Sequence, residues 1–409
     1  MQLLTSLKKL LGRLFSRKQN TTPKKLPEKR THEELLGLLE KYKEAVRVNP
    51  QDGMGHYNLG EVYIDLSRFS EALPSLQEAI RINPKHRSAY YQLGFAMIEM
   101  GRDEEAIEPL ETSLQLSAKS QATKKRLAQA HTNISVMLGR RKQFKESMHH
   151  IQEAIRVQPD YGPAYLSMGI CLTDLGRYEE ALEQFKKALQ LDKNLVVDAN
   201  YNFGIVYSKL GSPEKAIEHY QEAIKVNPKS ALPNLNLGMI YAKQKNYAAA
   251  ILPLRTAIKV SPKMAREANF KLGVALMKLK RFQEAVPPLQ EAVQITPNNE
   301  TVRDFLAEGL YQASKPLRQN DKTAEEIDTL KEAVSVNPEH MMAHFALAQA
   351  YDKTHQGHNA ITHTLIAKHF FVEAHKDEWI GKALQTIKQF FKKYNYTQND
   401  FAKLRIPRK

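Results

Sequence analysis

The chain has 409 residues, a formal net charge of +15 and a single cysteine, Cys171. One cysteine excludes an internal disulfide framework and a cysteine metal tetrad. The charge sits at the ends, with +8 in residues 1–31 and +7 in residues 382–409 around a neutral body, so the total is no argument for nucleic acid as the principal ligand.

The first segment, MQLLTSLKKLLGRLFSRK, sets Leu3, Leu4, Leu7, Leu10, Leu11, Leu14 and Phe15 on one helical face. Lys8, Lys9, Arg13, Arg17 and Lys18 take the other face. The apolar run is far below the ~20 residues of a membrane span. It also lacks the continuous apolar core of a secretory signal. The pattern predicts a helix lying in a membrane interface. Its Leu and Phe side chains enter the acyl boundary and Lys8, Lys9 and Arg13 meet anionic head groups, each basic residue contributing about 1 kcal/mol. A mitochondrial presequence, free of acid up to Glu28, is the alternative, and docking on protein is the third reading. KQNTTPKKLPEKRT then reads as a linker, closing a first region over 1–31.

From Thr31 a phrase of one design recurs: EAVRVNP, EAIRINP, EAIRVQP, EAIKVNP, TAIKVSP, EAVQITP and EAVSVNP. It ends at Pro50, Pro84, Pro159, Pro228, Pro262, Pro297 and Pro338, in steps of 34, 75, 69, 34, 35 and 41 residues. Self-similarity near 34 residues means stacked units. Upstream lies a glycine series, Gly60, Gly94, Gly169, Gly204, Gly238 and Gly273, followed by small residues such as Ala72 and Ala79. Apolar residues at helical spacing on both sides of breaks such as LGR and LKR predict helix, tight turn, helix, with proline closing the second helix. Gly and Ala mark where helix backbones approach to about 8–10 Å.

This pattern resembles the tetratricopeptide repeat (TPR) family, most clearly in PAYLSMGICLTDLGRYEEALEQFKKALQLD, Pro163 to Asp192. The resemblance runs over about residues 32–367. It implies an all-α, right-handed superhelical solenoid of nine helix-turn-helix units over 32–375. A leading half unit, THEELLGLLEKYKEAVRVNP, stands at its start, and a capping helix with a basic tail fills 376–409. Two units are seven residues too long. SAKSQATKKRLAQAHTNI predicts a lengthened first helix. SKPLRQNDKT predicts a longer loop, because Pro316 and Asn320-Asp321 break helices.

The resemblance further implies that the first helices line a groove. Two residues before each repeat glycine stand Asn58, Gln92, Ser167, Asn202, Asn236 and Lys271, with Asn133 at the matching place in a long unit. A row of amides can hold an extended peptide by its backbone. The row resembles the asparagine ladder of the O-linked N-acetylglucosamine transferase solenoid. Its apolar neighbours are Tyr57, Tyr91, Leu166, Tyr201, Leu235 and Phe270 on one side and Phe95, Ile170, Ile205, Met239 and Val274 on the other. They either face the groove or pack between units. The chaperone-type clamp for a C-terminal carboxylate is not recognisable from Lys271 alone.

Seven of the fourteen histidines fall between 340 and 375, and His340 and His344 have a metal-sharing spacing, but no third ligand repeats it. HExxH, phosphate-loop and nucleophile-elbow motifs are absent. No metal, cofactor or catalytic residue is predicted. Cys171 is read as a packing residue. The sequence predicts a non-enzymatic cytoplasmic scaffold for protein partners, held at an anionic membrane surface. The alternatives are a nucleic-acid binder using basic ends such as KKYNYTQNDFAKLRIPRK and the accessory subunit of a glycosyltransferase or assembly complex. Self-association stays open.

Overall fold

The computed structural model describes residues 30–397 and Asp400. The interfacial helix expected at Leu3–Phe15 and the last residues of the basic tail lie outside them. The described residues form twenty α-helices and no strand. They fall into two compact units, one up to Cys171 and one from Leu172.

The first helix, His32–Val48 (α1), begins at a reciprocal cap. The Glu34 amide donates to the Thr31 hydroxyl at 3.2 Å and the Thr31 amide to the Glu34 carboxylate at 2.6 Å. Helix pairs follow: Gly53–Asp65 (α2) with Phe69–Ile82 (α3), and Arg87–Glu99 (α4) with Asp103–Leu116 (α5). Next come Gln121–Arg140 (α6) with Phe144–Val157 (α7), then Gly162–Asp174 (α8), in which the unit boundary falls, and Tyr178–Leu191 (α9). The second unit continues with Val196–Lys209 (α10), Pro213–Val226 (α11), Ala231–Lys243 (α12), Tyr247–Val260 (α13), Ala265–Lys278 (α14) and Phe282–Ile295 (α15). It ends with Glu300–Gln319 (α16), Thr323–Val336 (α17), Met341–Lys353 (α18), Gly357–Glu373 (α19) and Asp377–Lys393 (α20).

One contact repeats along the chain. A small residue on each first helix receives a large one sixteen residues later: Gly60 against Leu76, Gly94 against Leu110, Gly238 against Leu254 and Gly273 against Leu289. A Cβ on Gly60 would stand 2.6 Å from Leu76 Cγ, and Leu76 is fully buried. Gly60→Ala is therefore expected to destabilise the fold by about 1–3 kcal/mol through overpacking, read as a lower urea midpoint. The same substitution at Gly37, which has open space around it, is the control and leaves the midpoint unmoved or raised.

A second recurrent contact ties four of the units to the proline before them. The residue six after the proline reaches back to its carbonyl: His56 to Pro50 at 3.1 Å, Tyr165 to Pro159 at 2.9 Å, Asn234 to Pro228 at 3.2 Å and His344 to Pro338 at 2.9 Å. The carbonyl that proline leaves exposed at the unit junction is thereby satisfied.

Both long units gain their seven residues as helix. α6 and α16 have 20 residues each, against 13 in α2 and α4. The first agrees with the sequence reading. The second corrects it, because no long loop follows Pro316. That proline sits in the last turn of α16, where the missing N–H removes one bond and the helix ends three residues later. The turn is made by Asp321, whose φ of 53° stands in the left-handed region. α20 closes the second unit: Trp379 stacks on Phe371 and meets Phe345 edge-on, and Tyr394 donates to Asp352 Oδ1 at 2.7 Å.

Candidate peptide-binding groove

The amide row lies on the first helices, at half-buried or exposed places, and most of its members are already engaged. Gln92 donates to Glu61 Oε1 at 3.1 Å, and the same carboxylate accepts from the Tyr57 hydroxyl, so α2 and α4 are laced together. Burial, then Glu61, push the Tyr57 phenol well above its ordinary pKa. Asn133 is exposed and donates to Asp103 Oδ1 at 2.7 Å. Asn202 turns back onto its own helix, donating to the Asp198 carbonyl at 2.8 Å. Asn236 donates to the Tyr220 hydroxyl at 3.2 Å. Asn58 is half-buried on α2. Gln92 also meets the Tyr57 hydroxyl and Asn236 the Tyr201 hydroxyl.

The aromatic row before these amides packs on rings of the next repeat or of its own. Tyr57 lies 4.6 Å from the His86 ring, Tyr201 6.1 Å from Tyr220, and Phe270 meets Phe305 edge-on at 5.5 Å. Tyr91 packs against the core of the first unit. Packing between units describes Tyr57 and Phe270, while Tyr201 lies on Tyr220 of its own repeat.

The row after the glycine behaves differently. Ile205, Met239 and Val274, from α10, α12 and α14, line one cleft of about 540 Å³. Its floor is Tyr220, from α11, which burial raises above the ordinary phenol pKa. Asn236 enters from the side and Tyr247 from α13. Lys209, Lys243 and Lys271 stand around it. A second cleft of about 660 Å³ follows along α14 and α16, where Met277 and Phe305 are joined by Lys278, Asp304 and Glu308. The structure thus brings Asn236 and Lys271 together with the apolar row, and leaves Asn202 outside the lining. Sequence reasoning missed Lys209 and Lys243. They stand five residues after the glycine and so share a helix face with the residue two before it, two turns away.

The histidine-rich stretch is structural. His340 caps α18, its Nδ1 accepting from the Ala343 amide at 3.1 Å, while His344 Nδ1 faces His363 at 2.8 Å. The two therefore diverge, and among the described residues no group of three metal-ligating side chains converges. Cys171 is buried.

The fold and the groove define a tandem array of antiparallel helix pairs with a ligand-sized surface on its first helices. The chain belongs to the tetratricopeptide repeat family, which matches residues 160–229, 201–265 and 254–300, and again 60–101 and 88–120. An uncharacterized protein of Methanocaldococcus jannaschii is 31% identical over 68 residues, 17% of this chain and 79% of that one. Among solved structures, PilF of Pseudomonas aeruginosa is similar at 21% identity and a TM-score of 0.45, over 54% of this chain and 97% of that one. YrrB, described as a TPR protein with an unusual peptide-binding site, is similar at 24% identity and a TM-score of 0.37, over 50% and 99%. The family supports a protein–protein interaction scaffold.

Proposed function

We propose that the chain holds an extended segment of a partner protein along the first helices of its second unit and does no chemistry of its own. The observation that carries this is the cleft of about 540 Å³ built by α10, α12 and α14, with an apolar row on one side and Asn236 beside it. An extended backbone laid there finds amide partners, and alternate side chains find the apolar pockets. Affinity capture with the intact chain and with the Asn58, Asn202 and Asn236→Ala variant tests the reading. A protein held by the first and lost from the second is the expected result. Identical profiles overturn it.

The membrane surface remains part of the proposal, carried by the Leu/Phe face and five basic residues of the first segment. Among the described residues no helix is long and apolar enough to cross a membrane. Flotation with vesicles containing anionic lipid is expected to carry the intact chain, to fail without residues 1–31, and to weaken steeply with salt. Equal flotation of both forms would remove the membrane from the account and favour import or protein docking.

A further inference from the structure

We propose that the cleft on α10, α12 and α14 selects an acidic segment with one large apolar side chain. The inference rests on the groove reading above and names its ligand. Three lysines, Lys209, Lys243 and Lys271, line one cleft, and no carboxylate lines it with them. None of the three has an ion pair among the described residues.

Some basic residues elsewhere are matched three positions away in sequence, as Arg177 with Glu180 at 2.6 Å, Lys186 with Glu183 at 2.6 Å and Arg281 with Glu284 at 2.7 Å. The neighbouring cleft sets Asp304 and Glu308 among its lysines. The place held by Lys209 and Lys243, five residues after the repeat glycine, carries Asp65 and Glu99 in the first unit. Those two are themselves met by Arg30 at 3.9 Å and Arg126 at 3.7 Å. Three lysines without an ion pair thus share one apolar slot that no carboxylate lines.

The chemistry of a fitting ligand follows. Three ammonium groups around one opening repel one another, and carboxylates brought there relieve that repulsion while steering the approach. Ile205, Met239 and Val274 offer an apolar wall to a leucine- or phenylalanine-sized side chain. Lys271 lies 6.0 Å from the Phe270 ring, which holds its charge beside the slot. A basic segment meets like charge, and an acidic segment without an apolar anchor leaves the slot unfilled.

The test is fluorescence anisotropy with the full chain and three blocked heptapeptides: six acidic residues around a central leucine, the same with a central serine, and six lysines around leucine. The first is expected to bind at least about tenfold more tightly than either of the others. The Lys209→Gln, Lys243→Gln, Lys271→Gln variant is expected to lose about tenfold for the first peptide and to keep the circular dichroism of the parent. Its three side chains reach solvent, so folding does not depend on them. Equal binding of acidic and basic peptides overturns the proposal, as does an unchanged affinity in the lysine variant. A partner lost with the Asn→Ala variant but retained by the lysine variant overturns the acidic preference alone. A partner retained by both overturns the groove reading as well.

Discussion

Arg318→Ala is expected to destabilise the second unit by about 3–5 kcal/mol, the cost of stranding a buried charge. Glu326 is fully buried, and its Oε1 accepts from Arg318 Nε at 2.6 Å. The same guanidinium donates to Gln349 Oε1 at 2.8 Å and to the Ala346 carbonyl at 3.0 Å, so one side chain joins α16, α17 and α18. The other oxygen, Oε2, is buried without a protein hydrogen bond. Glu326 stands twelve residues before the closing Pro338, where Ala72, Ala216, Ala250 and Ala285 stand before their own prolines. A carboxylate thus occupies a small-residue site, and only Arg318 makes that tolerable. The two single variants should therefore be unequal. Glu326→Ala restores the residue of the other repeats and leaves an arginine whose side chain is 34% exposed and can turn to water. It is expected to cost no more than about 1 kcal/mol, and adding it to Arg318→Ala should recover most of the loss. Urea midpoints give the sizes, and amide exchange in α16 to α18 gives the place. Equal losses in both single variants, or no recovery in the double, would overturn the stranded-charge account.

The periodic part of this architecture was legible in the residues. Proline spacing located the unit ends, and glycine marked the crossings because a Cβ there meets a buried leucine. Where the small residue is Ser135, Ser314 or Ala348 a search for glycine passes over it, yet the same place recurs sixteen residues before Ile151, Leu330 and Thr364. Pro316 misled because the helix absorbs the loss of one backbone bond there and runs on to Gln319. The candidate groove was half legible. A row of amides at one register is visible in the sequence, but not that Asn202 bends onto its own helix or that Tyr57 and Phe270 pack between repeats. Side-chain direction depends on neighbours some 16 to 35 residues away, and a single-residue register does not encode it. The three lysines escaped for another reason. Lys209 and Lys243 share one register and Lys271 another, so no single series contains all three.

Acid is expected to loosen both units before the surface carboxylates titrate, through two buried histidine pairs. His131 and His150 bring Nδ1 atoms to 2.9 Å, and His344 and His363 to 2.8 Å. Each pair needs a single proton between its nitrogens, one ring donating and the other accepting. A second proton sets two N–H groups against each other in a site with little water. Burial first, and the partner ring second, hold His131 and His363 down to about 4; for His344 burial again leads, against the Pro338 carbonyl, to about 4. Unfolding frees these rings to titrate near 6.5. Between about pH 6.5 and 4 the unfolded chain binds more protons than the folded one, so stability falls as pH falls through that window and levels off below it. Each pair is expected to lose on the order of 2–3 kcal/mol from pH 7 to pH 4. The chain holds its own control: at the equivalent place Asn200 Oδ1 accepts from His219 Nδ1 at 2.8 Å, an arrangement with one titrating ring. His131→Asn and His344→Asn reproduce it and should about halve the slope of the thermal midpoint between pH 6.5 and 4.5. Glu–Arg pairs such as Glu153 with Arg156 hold their carboxylates below the ordinary range, so their contribution enters only at lower pH. A slope unchanged by both substitutions would assign the acid sensitivity to groups other than these pairs.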